Sequence, residues 1–108
     1  MSTSKETMDY FLTQTAGAGN MRAKRMFGEY ALYCENKVVG LVCDDQLFIK
    51  ITPIADDYLD KSHDAPPFPG AKDWKLVPED KWEDKMWLAD FIREIAKFVE
   101  IKVKKKPK

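Results

Sequence analysis

His63 is the sole histidine of the chain, and Asp60 and Asp64 flank it in a polar, proline-rich stretch. An imidazole between two carboxylates is the residue set of an acid–base dyad or of a metal site. Zinc, however, takes three or four well-spaced nitrogen or sulfur ligands, which this stretch does not supply. A lone histidine in a charged loop reads as a solvated one. Asp44 and Asp45 form a second carboxylate pair. They fall between two strand-like runs, where aspartate is a turn former because its side chain bonds nearby backbone. Gly17-Ala18-Gly19 lacks both the third glycine and the preceding strand of a phosphate-binding loop. Nothing here assembles into a catalytic, cofactor or metal site, so the chain reads as a binding or regulatory module, not an enzyme.

The two cysteines, Cys34 and Cys43, lie on the two arms of one expected hairpin whose turn falls near Glu35, Asn36 and Lys37. With such a turn, Cys43 pairs with a residue between Gly28 and Tyr30. At about 3.3 Å per residue, that is farther from Cys34 than the roughly 7 Å a disulfide tolerates. Two free, buried thiols are expected.

Binding chemistry is better represented. Arg22, Lys24 and Arg25 open the strand-rich region, with Phe27, Tyr30 and Tyr33 close behind. Strand alternation puts Arg22 and Lys24 on one face, and Arg25 with Phe27 on the other. Cations beside exposed aromatics suit a single-stranded nucleic acid, because bases stack on rings while phosphates meet the charges. An edge strand protected by charge, with its aromatics buried, is the competing reading. The absence of net positive charge favours that second reading. Five lysines, Lys102, Lys104, Lys105, Lys106 and Lys108, close the chain. Five released counterions would cost on the order of several hundred-fold in affinity between 50 and 200 mM salt, the mark of weak, non-specific association. Of the three tryptophans, Trp74 and Trp87 fall in apolar elements, whereas Trp82 sits between Lys81 and Glu83. A partly exposed tryptophan there is a candidate interface anchor.

These residues need elements to hold them. Thr3 and Glu6 form a capping-box pattern ahead of Met8, Phe11 and Leu12 at helical spacing. Four strands are expected over 22–27, 30–34, 38–43 and 46–51, with Gly28-Glu29, Glu35-Asn36-Lys37 and Asp44-Asp45 between them. Links so short force an antiparallel meander. Leu47, Ile49 and Ile51 share one face of the fourth strand, and the third strand is apolar on both faces. A second apolar face on so small a domain points to a homodimer or to further helical cover. Thr52-Pro53 reads as the cap and first turn of a short helix through Leu59, followed by a loop from His63 to Gly70. A fifth strand spans 74–77. A final helix from about Lys85 carries Leu88, Phe91, Ile92, Ile95, Phe98 and Val99 as its apolar stripe.

Length and composition agree with a single core. The chain has 108 residues, 44% of them hydrophobic and 33% charged, with a formal net charge of zero. The charge is unevenly placed: residues 51–84 hold four lysines against nine carboxylates, and 85–108 hold eight basic groups against three acids. No apolar run nears the roughly 20 residues of a membrane span, so a cytoplasmic protein is expected. The domain is expected over 1–101, with a basic tail over 102–108.

Arg25-Met26-Phe27-Gly28-Glu29-Tyr30-Ala31-Leu32-Tyr33, then Gly40, then Asp44-Asp45-Gln46-Leu47-Phe48-Ile49-Lys50 resemble the signature of the TfoX (Sxy) N-terminal domain family. Pro67-Phe68 is similar as well, and the likeness runs in order and spacing over roughly residues 20–100. Glu29 and Ala31 depart from it, standing where the family usually has glycines. The resemblance implies a two-layer α+β fold with an antiparallel sheet of about five strands, in the order α-β-β-β-β-α-β-α. It implies a free-standing member without the second, helical domain of the full-length regulators. Those regulators govern natural competence as transcriptional co-activators beside a cyclic-AMP receptor protein. The expected function is therefore regulation through protein contact, with weak nucleic-acid binding through Arg22–Arg25 and the lysine tail as the alternative. The residues expected to make contact are Arg22, Lys24, Arg25, Tyr30 and Trp82.

Overall fold

In a computed structural model of the chain, which describes residues 3–26 and 28–99, Ser4 and not Thr3 caps the first helix, α1 (Lys5–Gln14). The Ser4 hydroxyl accepts the Thr7 N–H at 3.1 Å, which satisfies one of the unpaired donors of the first turn. Thr3 is drawn elsewhere. Its buried hydroxyl lies 2.6 Å from the Glu29 carboxylate and 3.1 Å from the Val42 carbonyl, tying the start of the chain to the end of the sheet. Met8 and Phe11 face the core from α1, as their spacing predicts.

Four strands follow as an antiparallel meander: β1 (Met21–Met26), β2 (Glu29–Cys34), β3 (Lys37–Cys43) and β4 (Gln46–Ile49). The β2–β3 and β3–β4 links are two-residue turns with positive φ at both positions, 52° and 67° at Glu35 and Asn36, 54° and 60° at Asp44 and Asp45. Such turns match the right-handed twist of the flanking strands. Side chains help hold them, for the Glu35 carboxylate accepts the Asn20 N–H and Asp45 accepts that of Ser4.

The sheet has six strands, one more than expected. Asp64–Ala65 forms a short β5 inside the proline-rich stretch and pairs with β6 (Trp74–Leu76), giving the order β1-β2-β3-β4-β6-β5. The segment expected as a helix from Thr52 through Leu59 holds only a 3-10 turn, Ala55–Asp57, and a second 3-10 turn, Lys61–His63, follows it. Thr52 does not cap: its buried Oγ1 has no hydrogen-bond partner among the described residues. Asp60 ends the first turn by capping the second, accepting the Ser62 N–H at 3.0 Å, so no full helical turn can propagate through it.

The last helix, α2 (Lys85–Ala96), starts where expected, with Asp84 accepting the Trp87 N–H at 3.1 Å. Leu88, Phe91, Ile92 and Ile95 are fully buried, and with the α1 residues they cover one face of the sheet. Two apolar residues expected in the core lie past the ends of their elements. Ile51, beyond β4, is 40% exposed and Phe98, beyond α2, is 51% exposed. The lysine tail and Phe27 lie outside the described residues.

Gly40 sits in the central strand opposite Ile49, beside a register shift between Leu32 and Tyr33. A Cβ there would stand 2.5 Å from the Phe48 carbonyl oxygen, so the two backbones can approach only without one. Gly40→Ala is expected to cost about 2 kcal/mol in urea unfolding, as overpacking that must move backbone does.

Candidate protein-interaction face

Register divides the expected contact residues between the two faces of the sheet. Arg22 lies opposite Tyr33 and Lys24 opposite Ala31, so both cations point away from the helices and are exposed. Arg25 lies opposite Tyr30 on the helix side, its guanidinium 6.0 Å from the Tyr30 ring centroid. Tyr30 is partly buried against the main core. It is not a free stacking platform. Arg22 also donates to the Asn36 side chain at 3.1 Å.

Trp82 is built into the helical side. Its ring meets Phe11 edge-on at 4.9 Å and 80°, its indole N–H donates to the Val77 carbonyl at 3.1 Å, and its own carbonyl accepts from Gln14 at 2.9 Å. These contacts set it apart from Arg22 and Lys24, on the other side of the sheet.

The outer face has an apolar centre of its own. Ala31, Leu41, Cys43 and Phe48 are buried there, with Tyr33, Ala65, Trp74 and Leu76 partly buried around them. No residue of either helix belongs to this cluster. A groove of about 400 Å³ opens beside it, between Phe48, Ala65 and Leu76 and the Pro66–Pro69 segment. Phe68 borders the groove and is 53% exposed. At the other end of the face, some four strand spacings or about 19 Å away, a hollow of about 450 Å³ is lined by Arg22, Ala23, Lys24 and Tyr33. The face therefore reads as an apolar middle with a cationic rim.

Cys34 and Cys43 are both free and buried, on opposite faces of the sheet. Burial, aided by the nearby negative charges of Glu29 and Asp44, pushes the Cys43 thiol up to about 11, which makes it a poor nucleophile. Among the described residues, neither Asp60 nor Asp64 makes a side-chain hydrogen bond to His63. The Asp60 carboxylate is bound by Ser62, and that of Asp64 accepts from Lys75. Among the described residues, no group of three or more His, Cys, Asp or Glu is placed to hold a metal ion.

Residues 13–98 match the family model of the TfoX N-terminal domain. The chain belongs to the TfoX N-terminal domain family. It is also similar, with 34% identity over 96 residues, to an uncharacterized 12.7 kDa protein in the trpE 5′ region of Spirochaeta aurantia, a match covering 89% of this chain and 83% of that one. Among the described residues of this TfoX N-terminal domain, no helix is long and apolar enough to cross a membrane.

The two departures from the family pattern have visible roles in this TfoX domain. The Glu29 carboxylate takes hydrogen bonds from the Thr3 hydroxyl and the Asp44 N–H, clamping the chain start to the β3–β4 turn. Ala31 fills the outer cluster.

Sequence reasoning passed over Lys75, a side chain with 0% exposure in the middle of β6. Its ammonium donates to Asp56 at 2.5 Å, to Asp64, and to the Asp60 carbonyl at 3.2 Å, so all three protons are used. Burial pulls its pKa down and is the largest single influence. The bonds and charges of Asp56 and Asp64 together outweigh it, and the net shift is upward. Hydrogen bonds from Lys61 and then Lys75 hold Asp56 below the usual carboxylate range. The only signal in the sequence is the four-residue spacing of Asp56, Asp60 and Asp64, which resembles a solvated helix face.

Proposed function

We propose that this domain is a non-catalytic regulatory module that works by binding another protein through the outer face of its sheet. The observation that carries the reading is the second apolar cluster, to which no helix contributes among the described residues and which continues into the groove beside Phe68. Interfaces of this kind combine a desolvated apolar centre with a charged rim. Phe68, with the partly buried Trp74 and Leu76, supplies the first, and Arg22 and Lys24 the second. Family membership supports a regulatory role, and the competence regulators that share the domain point to a transcription-linked partner in the cytoplasm.

Nucleic acid is the second reading, favoured by the cationic hollow at Arg22 and Lys24. It ranks lower because the chain carries no net positive charge and Tyr30 is occupied by the core and by Arg25, so that the partly buried Tyr33 is the one ring of the hollow beside those cations.

Affinity capture from the native lysate, after nuclease treatment, tests the proposal. The wild-type domain should retain a stoichiometric protein, and Phe68→Asp, at an exposed position that the fold tolerates, should lose it at least tenfold. Capture that disappears with nuclease, or that Phe68→Asp leaves unchanged, contradicts the reading.

A further inference from the structure

β1 is an open edge of the sheet. The Glu35 N–H bonds the Asn20 carbonyl just before the strand, so with the β1–β2 register it is Arg22, Lys24 and Met26 that exchange hydrogen bonds with β2. The N–H and C=O groups of Met21, Ala23 and Arg25 therefore point outward, and among the described residues no backbone group pairs with them. The opposite edge, β5, is two residues long and ends at Pro66, which removes a donor. β1 spans six residues with neither proline nor bulge.

From this edge and its charge we infer that β1 receives an extended acidic segment of a partner protein as an added strand, with carboxylates alternating with apolar residues. This deepens the reading of the domain as a protein-interaction module and rests on it. Main-chain bonding to an edge supplies affinity, and pockets at alternate positions supply the choice of sequence. Side chains of an added strand that fall on the outer face lie beside Arg22 and Lys24, which are exposed and border the hollow of about 450 Å³. Carboxylates are the complement there, because opposite charges directly across strands attract. Side chains on the other face lie beside Met21 and Ala23, both packed on the main core. The smallness of Ala23 leaves room for a branched apolar residue that extends that core. The required pattern is acid, apolar, acid.

Charge argues against the other occupants. A second copy paired antiparallel about Ala23 sets Arg22 of one chain opposite Lys24 of the other, cation against cation. A nucleic acid satisfies the cations but leaves the outward row of amides and carbonyls without its repeating partner.

The probes are capped seven-residue peptides alternating glutamate with isoleucine, the same peptide with lysine for glutamate, and an oligothymidylate. Amide exchange by NMR on the intact chain should show the glutamate peptide protecting Met21, Ala23 and Arg25, and binding at least tenfold tighter than the lysine peptide. Arg22→Glu with Lys24→Glu should reverse that preference, a change that loss of folding cannot produce. Equal binding of the two peptides, protection by oligothymidylate in place of the glutamate peptide, or a concentration-dependent dimer protecting the same amides overturns the inference. Should the peptides fail while capture still depends on Phe68, the edge-strand inference falls and the outer-face reading stands.

Discussion

Lys75→Ala is expected to lower the unfolding free energy by about 3 kcal/mol, a fall in melting temperature of about 15 °C for a domain of this size. The substitution removes a fully buried ammonium and leaves Asp56 and Asp64 facing the same vacated space. It also loosens the two 3-10 turns from the sheet, since the Asp56 carboxylate and the Asp60 carbonyl reach β6 through this side chain. Lys75→Met combined with Asp56→Asn and Asp64→Asn should recover most of the loss, because replacing the buried ammonium together with its carboxylate partners is far less costly than removing one member. The pH dependence follows from the direction of the shifts. The folded-state pKa of Asp56 lies below its unfolded value, so its contribution is present in full above about pH 5 and is lost as pH falls through the folded value. The pKa of Lys75 is raised, so its contribution is present in full below the ordinary lysine value of 10.5 and is lost as pH rises from there through the folded value. Wild type should thus lose stability on acidification more steeply than the triple variant. Equal acid limbs in urea unfolding would contradict a stabilising role for the cluster.

Trp82→Ala should cost a similar amount, about 3 kcal/mol, through loss of a large ring from a packed site. That ring joins α1 to the segment before α2 by its edge contact with Phe11 and by its N–H bond to Val77. Trp82→Phe keeps an aromatic contact but orphans the Val77 carbonyl, and should cost about 1 kcal/mol. Thermal melts of both variants distinguish structure from interface. A Trp82→Ala domain with unchanged melting temperature but lost partner capture would make Trp82 an interface anchor after all.

The meander was legible because each strand is a short run of β-branched and aromatic residues, and because Glu35-Asn36 and Asp44-Asp45 can occupy positive φ. The same pattern placed Cys43 opposite its true neighbourhood, for its position in the register falls at Glu29. Ile51 and Phe98 misled because apolar periodicity continues past the point where backbone hydrogen bonding stops. The two-residue β5 has too little sequence to show a period, and the Thr52 helix gave way to side-chain bonds at Asp56 and Asp60 that no local pattern reveals. Lys75 was hidden for a related reason. A lysine in a strand reads as solvent-facing until the fold brings three acidic residues over it. The outer face was legible in part: the doubly apolar third strand foretold a second cluster, whereas the separation of Arg22 and Lys24 from Trp82 required the tertiary structure.

The most direct test of the protein-binding account is the affinity of the captured complex between 50 and 200 mM salt. An apolar centre with two rim cations, each worth about 0.5 kcal/mol, should weaken by no more than about tenfold across that range. A loss of several hundred-fold, the response of about five phosphate contacts, would mean that the domain holds nucleic acid and that its outer face is not a protein interface.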